Sequence, residues 1–390
     1  MDLTTRIRRR RRHGEDAQLV LDYDTISPVS HVSEPTSRGP ALERLLDYLD
    51  PVFDGEFPPD AYVWGPAGAG KSAIVTALFS QLEAQFARSG SVIHTATRAG
   101  TDYERLPAFV YVDARSADSE FGLYHAILDA IVEESVPKKG VGTDALADRL
   151  GDRLTAPSGA IVAVDHVGEP ETYTLGELTD VLEAPGGPLV IVAIGRVDPA
   201  DLNADLPPER IEIPAYRQHA LVDILTSRAS EGVAERAVEH EQIRELARWA
   251  EGNAHDALAA LFGAADRAAT AGRSRVHNED LNGAIVDIPR PCVPLGRVLT
   301  LQSNRQRVLR ALVDADETAR ASVESATEAV AAEVDLSPGT VKRFLYELAE
   351  NGILERVRED RGDGHGRPPS RVEPRFPTDV FRRLYDLADG

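Results

Sequence analysis

The segment GPAGAGKS at residues 65–72 constrains this chain most. It follows the short apolar run AYVW (61–64) and precedes AIVTALFSQLEAQFA (73–87), whose apolar spacing predicts a helix. Gly65, Gly68 and Gly70 let the backbone curl so that successive N–H groups face phosphate oxygens, with Pro66, Ala67, Ala69 and Ala73 completing the loop. The helix that follows adds the positive end of its dipole. Lys71 is placed to reach the β- and γ-phosphates and Ser72 to ligate Mg²⁺. The expected ligand is ATP or ADP with Mg²⁺. A loop of this kind needs a strand before it and a helix after it, so an α/β fold is expected.

The rest of the N-terminal half agrees. FVYVDA (109–114), IVAVDH (161–166), LVIVAI (189–194) and RIEIP (210–214) read as further strands. Helices are expected over 41–49, near 121–134 and near 174–183. Strands alternating with helices imply a parallel sheet covered on both faces, and strands so covered should be apolar throughout, as these are. Asp165 ends one buried strand, where a second acidic group would hold Mg²⁺ with Ser72.

After Pro214 the pattern changes. Residues 217–229, 238–250, 254–271 and 277–287 read as helices with no strand between them. PRPCVP (289–294) carries three prolines in six residues and reads as a linker. Beyond it, NRQRVLRALVDAD (304–316), VESATEAVAAEVD (323–335) and SPGTVKRFLYELAENGIL (337–354) form three helical segments, followed by the strand ILERVRED (353–360). Ser337 as N-cap and Pro338 in the first turn open the third helix. Val341, Phe344, Leu345 and Leu348 form its buried stripe, so Thr340, Lys342 and Arg343 point outward near its start, where a recognition helix meets base edges. The loop GDGHGRPPSR (362–371) is a candidate wing, with Arg367 and Arg371 as candidate DNA contacts. Double-stranded DNA is the expected partner. The bland alternative is a winged helix used for protein contacts.

The expected organisation is an arginine-rich tail (1–15), an α/β nucleotide core (16–214), a helical lid (215–288), a linker (289–301) and a winged-helix domain (302–390). The tail would be disordered in isolation. It is either a phosphate-binding arm or a solvated segment.

Composition bears on partners and compartment. Asp and Glu number 64 against 43 Lys and Arg, a net charge of −21. Only Lys71, Lys138, Lys139 and Lys342 are lysine; the other basic residues are arginine. This acidic, lysine-poor pattern resembles proteins of salt-loving archaea. At molar salt the Debye length is ~3 Å, so an acidic surface repels itself little and a DNA-binding protein can be acidic overall. The single cysteine, Cys292, excludes an internal disulfide and a cysteine-cluster zinc site. No apolar stretch is long enough to span a membrane, and no apolar segment follows the basic N-terminus as in a secretory signal. A cytoplasmic protein with no membrane partner is expected.

Several segments together resemble one family, the archaeal initiators related to origin-recognition and cell-division-control AAA+ ATPases. They are SRGPALERLLDYLDPVFDGE (37–56), YVWGPAGAGKSA (62–73), FVYVDAR (109–115), PAYRQHALVDILTSRA (214–229) and EGNAHDALAALFGAADRAATAGRSRVHNEDL (251–281). The resemblance spans roughly 35–290. It implies an AAA+ domain with a helical lid and a C-terminal winged helix, ATP binding, recognition of an origin, and contacts with the replicative helicase and other initiator paralogues.

The departures from the family pattern fall together. His166 stands where the family places a catalytic Glu. The polar sensor at the end of the fourth strand falls near Gly195–Arg196. No clear arginine finger appears; Arg196 or Arg210 could substitute. His255, in GNAH, takes the place of the lid's sensor arginine. His166, Arg196 and His255 are therefore the candidates to act on the transferred phosphate. Removing charge-stabilising groups of this kind can cost orders of magnitude in rate, so binding should survive better than hydrolysis. Two other functions remain open: a nucleotide-binding transcriptional or plasmid regulator, and an AAA+ ATPase that remodels a protein partner.

Overall fold

The computed structural model describes residues 18–32, 35–91, 107–154, 159–358 and 370–389. The arginine-rich tail, Arg367 and most of the candidate wing lie outside the described residues. The chain forms two compact units, one spanning 31–216 and the other combining the N-terminal residues to 30 with 217–390.

The first unit is a five-stranded parallel sheet. Its strands are β1 (Ala61–Trp64), β2 (Ala108–Asp113), β3 (Ala160–Val167), β4 (Leu189–Gly195) and β5 (Glu209–Glu212), in the spatial order β2-β3-β4-β1-β5. Residues 160–164 of β3 have no exposed surface, which accounts for a strand apolar at every position. One face packs Leu45, Leu49, Ile74 and Leu78 from helices α2 (Gly39–Phe53) and α3 (Lys71–Ser91), which follow a short α1 (Tyr23–Ile26). The other face packs Leu123, Ile127, Leu146, Leu150 and Leu178 from α4 (Glu120–Ile131), α5 (Thr143–Arg153) and α6 (Leu175–Glu183). Caps fix where these helices start: Ser119 accepts from the Gly122 amide, and Thr174 forms a reciprocal capping box with Glu177.

The second unit holds α7 (Gln218–Gly232), α8 (His240–Trp249), α9 (Ala254–Thr270) and α10 (Asn278–Val286), then the winged helix. The winged helix contains α12 (Ser303–Asp314), α13 (Val323–Glu333), α14 (Pro338–Glu350) and the antiparallel pair β6 (Leu354–Arg358) and β7 (Ser370–Pro374), and α15 (Thr378–Asp389) follows. Two sequence expectations change here. Residues 18–30, assigned to the nucleotide core, pack with the lid instead: Val20 bridges Val233, and Arg228 donates to the carbonyls of Thr25 and Ser30 at 2.7 and 2.8 Å. The segment read as a linker contains a helix, α11 (Leu295–Leu299), because Leu295 and Val298 are fully buried despite the prolines before them.

The lid and winged helix are bonded to each other. Thr378 Oγ1 and the Asp379 amide both donate to Asp287, at 2.6 and 3.0 Å, so the end of the lid caps α15. The Val293 amide donates to the Arg375 carbonyl at 2.6 Å, and Arg267 pairs with Asp379.

Candidate functional site

The loop 65–70 lies between β1 and α3, where two glycines are sterically required. Gly65 has φ 151°, and a Cβ there would lie 2.0 Å from the Ile213 carbonyl oxygen. A Cβ on Gly70, at φ 78°, would lie 2.4 Å from the Tyr216 hydroxyl. Lys71 is buried, and its ammonium donates to the carbonyls of Gly65 and Pro66 at 2.7 and 2.9 Å. Burial lowers its pKa to about 8, partly offset by Asp165 and reinforced by Arg196. Arg38, just before α2, lies 3.5 Å over the Tyr216 ring and donates to the Ala69 carbonyl, so it ties the loop to Tyr216.

Asp165 is 1% exposed. It sits beside Asp113 on the neighbouring strand, accepts from the Tyr111 hydroxyl at 2.7 Å, and is hydrogen-bonded by Ser72. Burial pushes its carboxyl up, but His166 and the hydroxyls of Ser72 and Tyr111 outweigh that and hold it below the usual range. The structure thus brings Ser72 and Asp165, the two expected Mg²⁺ ligands, together.

The register of β3 against β4 shifts between Val164 and Val167. His166 falls in that shift with φ 68°, a left-handed conformation that costs a β-carbon-bearing residue on the order of 1 kcal/mol. Its ring is fully engaged. Nε2 pairs with the Arg115 guanidinium, and Nδ1 lies 3.3 Å from Glu169 Oε1. Because a guanidinium can only donate, Nε2 is the acceptor of this contact and Nδ1 is left to face the carboxylate. Glu169 is also 2.7 Å from Arg196 and 3.8 Å from Arg115. Burial alone would raise its pKa, but His166, Arg196 and Arg115 lower it to about 2. Arg210 is exposed on β5. Gly195 leaves no room for a polar sensor: a Cβ there would lie 2.4 Å from the Tyr62 hydroxyl, which donates to the Val197 carbonyl.

His255 belongs to the second unit. Its Nε2 accepts from the Leu295 amide at 3.0 Å, and its Nδ1 lies 3.1 Å from Asp256. Cys292 joins them, with donor atoms of all three within 4.8 Å. Burial pushes the thiol pKa up, and Asp256 pushes it further, which favours the neutral thiol over the thiolate. The trio is a hydrogen-bonded strut between the start of α9 and the start of α11.

In the winged helix, Ser337 caps α14 and shares a hydrogen bond with Thr340. Lys342 lies 4.0 Å from Glu324, Arg343 lies 3.5 Å from Glu347, and Arg371 lies 2.6 Å from Glu373. Each described basic candidate of the DNA face is therefore close to an acid. Sequence reasoning singled out neither Arg115, Tyr111, Arg38 nor Tyr216 as part of a site. Arg115 stood in a quoted motif, but its bond to His166 joins residues 51 positions apart.

The model of the AAA ATPase domain family matches residues 34–192. The chain is 24% identical over 265 residues to ORC1-type DNA replication protein 1 of Sulfolobus acidocaldarius, covering 64% of this chain and 62% of that one. It is 23% identical over 387 residues to ORC1-type DNA replication protein 5 of Halobacterium salinarum, covering 90% and 88%. Its fold is similar to that of the Aeropyrum pernix Orc1 protein solved in complex with DNA, with TM-score 0.62, 22% identity, and 96% and 98% of the two chains covered.

Proposed function

We propose that the chain is a member of the archaeal origin-recognition and cell-division-control family of AAA+ initiators, as its matches to the AAA ATPase domain and to ORC1-type DNA replication proteins support, and that it is a replication initiator that binds ATP and duplex DNA but hydrolyses ATP weakly or not at all. The observation that carries this reading is the state of His166. By the family resemblance it takes the place of the catalytic Glu, and both its ring nitrogens are engaged, by Arg115 and by Glu169.

The loop fits a nucleotide. Gly65 and Gly70 have no space for side chains, and the Lys71 ammonium already rests on oxygen ligands at the loop's mouth. Pro66, Ala67, Gly68, Ala69 and Ala73 would complete the cradle. Lys71 would exchange its two carbonyl contacts for phosphate oxygens. Ser72 and Asp165 would hold Mg²⁺, which supplies charge neutralisation at the β- and γ-phosphates. Among the described residues, neither His166 nor Glu169 offers a free base. The His166 ring has no lone pair left for a water, and Glu169, at a pKa of about 2, is too weak a base to take its proton. Arg196 is spent on Glu169, and His255 on Asp256 and Leu295.

Nucleotide then acts as a ligand that stabilises one arrangement of the protein on DNA, rather than as fuel. Thr340, Lys342 and Arg343 would meet the major groove, and Arg367 and Arg371 would meet the wing's groove. The replicative helicase and initiator paralogues are the further partners of this reading. Footprinting on chromosomal DNA tests it. Clustered sites beside a replication start support an initiator, whereas isolated promoter sites would make the chain a regulator.

A further inference from the structure

Two basic side chains of the winged helix converge on a single carboxylate. Arg305, in the first turn of α12, donates from Nη2 to Glu347 Oε2 at 3.0 Å and from Nη1 to Gln302 Oε1 at 2.7 Å. Arg343 places its Nε 3.5 Å from the other oxygen of Glu347. Both guanidiniums lie 5.2 Å from the centroid of the Phe344 ring, which is 8% exposed and fixed in the core. The two cations therefore share a rigid platform, and an anion between them relieves their repulsion.

That anion has an equivalent in DNA. A carboxylate brings one negative charge and two acceptor oxygens. A backbone phosphodiester brings the same charge and two non-bridging oxygens, and guanidinium forks match both. The group is reachable: the side chains of Glu347 and Arg343 are 33% and 65% exposed. Thr340, Arg343 and Glu347 also share one stripe of α14 by their spacing of three and four, so the pair extends the face proposed for DNA.

We infer that Arg305 and Arg343 form a binding site for one DNA backbone phosphate, and that Glu347 occupies this site until DNA displaces it. The inference rests on the proposed DNA-binding role of the winged helix, and it adds Arg305 to the contact surface. Because a partly exposed ion pair is weak, the exchange costs little. Its effect is to lower the net positive charge of the face, and with it the indiscriminate binding of any anion.

The test is a fluorescence-anisotropy titration of the full-length protein with a labelled duplex of mixed sequence, repeated across a KCl series. Phosphate contacts ignore sequence, so no specific site is needed. Glu347→Gln, which keeps the shape and removes the charge, should tighten binding about threefold and steepen the salt slope by up to about 0.9, the value of one phosphate. Arg305→Ala should weaken binding to every duplex alike, and it should remove most of the Glu347→Gln gain in the double variant. If the wild type binds and Glu347→Gln binds equally or more weakly, the site is wrong although the DNA reading stands. The same holds if the gain persists undiminished without Arg305. If neither protein binds duplex at any salt, the DNA reading falls and the site with it.

Discussion

Arg196 lies 2.7 Å from Glu169, and this contact commits the guanidinium nearest the end of β4 to a carboxylate on the loop after β3. Glu169 also holds His166 and Arg115, so one buried acid organises three groups that could otherwise act on a phosphate.

Replacing that acid should unfasten all three. Glu169→Gln should destabilise the protein by on the order of 2 kcal/mol, less than for a fully buried pair because Arg196 is 35% exposed. The sign of the pH effect follows from the shift. The folded carboxyl titrates near 2 against an ordinary value of 4.5, so its contribution is complete above about 4.5 and is lost as pH falls toward 2. Denaturant melts over that range should show a shallower acid loss in Glu169→Gln than in wild type. Parallel curves would mean the carboxylate contributes nothing.

Placing an asparagine at the end of β4 should not raise ATP turnover. Gly195→Asn puts a Cβ against the Tyr62 hydroxyl and ring, at 2.4 and 2.9 Å, and Tyr62 is 2% exposed with nowhere to go. The expected outcome is a loss of about 1–3 kcal/mol from overpacking, with ATP turnover no higher than wild type. Thermal melts and a phosphate-release assay check both halves.

Lys71 should make nucleotide binding pH-dependent. With a pKa of about 8, its amine is largely neutral above that pH, while a bound phosphate would favour the charged form. Affinity for ATP should therefore fall by up to about tenfold per pH unit above 8, with proton uptake on binding. Lys71→Arg, which stays charged, should lose this dependence in calorimetry performed in buffers of different ionisation heat.

The strut at His255 should matter to stability and not to turnover. His255→Ala removes the acceptor for the Leu295 amide and the partner of Asp256, both inside the lid and winged-helix unit. A loss of about 1–3 kcal/mol is expected from the orphaned groups, with ATP turnover unchanged. A selective loss of ATP affinity with stability unchanged would instead make His255 a nucleotide sensor.

The α/β plan was legible because β1 to β4 are apolar runs flanked by turn residues, and because the glycines at 65, 68 and 70 demand a strand before and a helix after. Helices such as α5 and α15 carried too few large apolar residues, or too many charges, to stand out. Proline content hid α11, whose burial rests on Leu295 and Val298 alone. Ser72 and Asp165 were readable as a pair because one lies in the first turn of a helix and the other near the end of a buried strand. The fastening of His166 was not, since Arg115 and Arg196 reach it and Glu169 from other strand ends through contacts that only the register of the sheet defines. The convergence of His255 and Cys292 had no sequence signal at all.

The most direct test of the account is equilibrium ATP binding measured beside ATP turnover at high KCl, for wild type and Lys71→Ala. The account predicts tight binding by the wild type, loss of binding in Lys71→Ala, and negligible turnover in both. Robust wild-type turnover abolished by Lys71→Ala would contradict it, and would mean that the fastened groups around Glu169 open to form a working catalytic site.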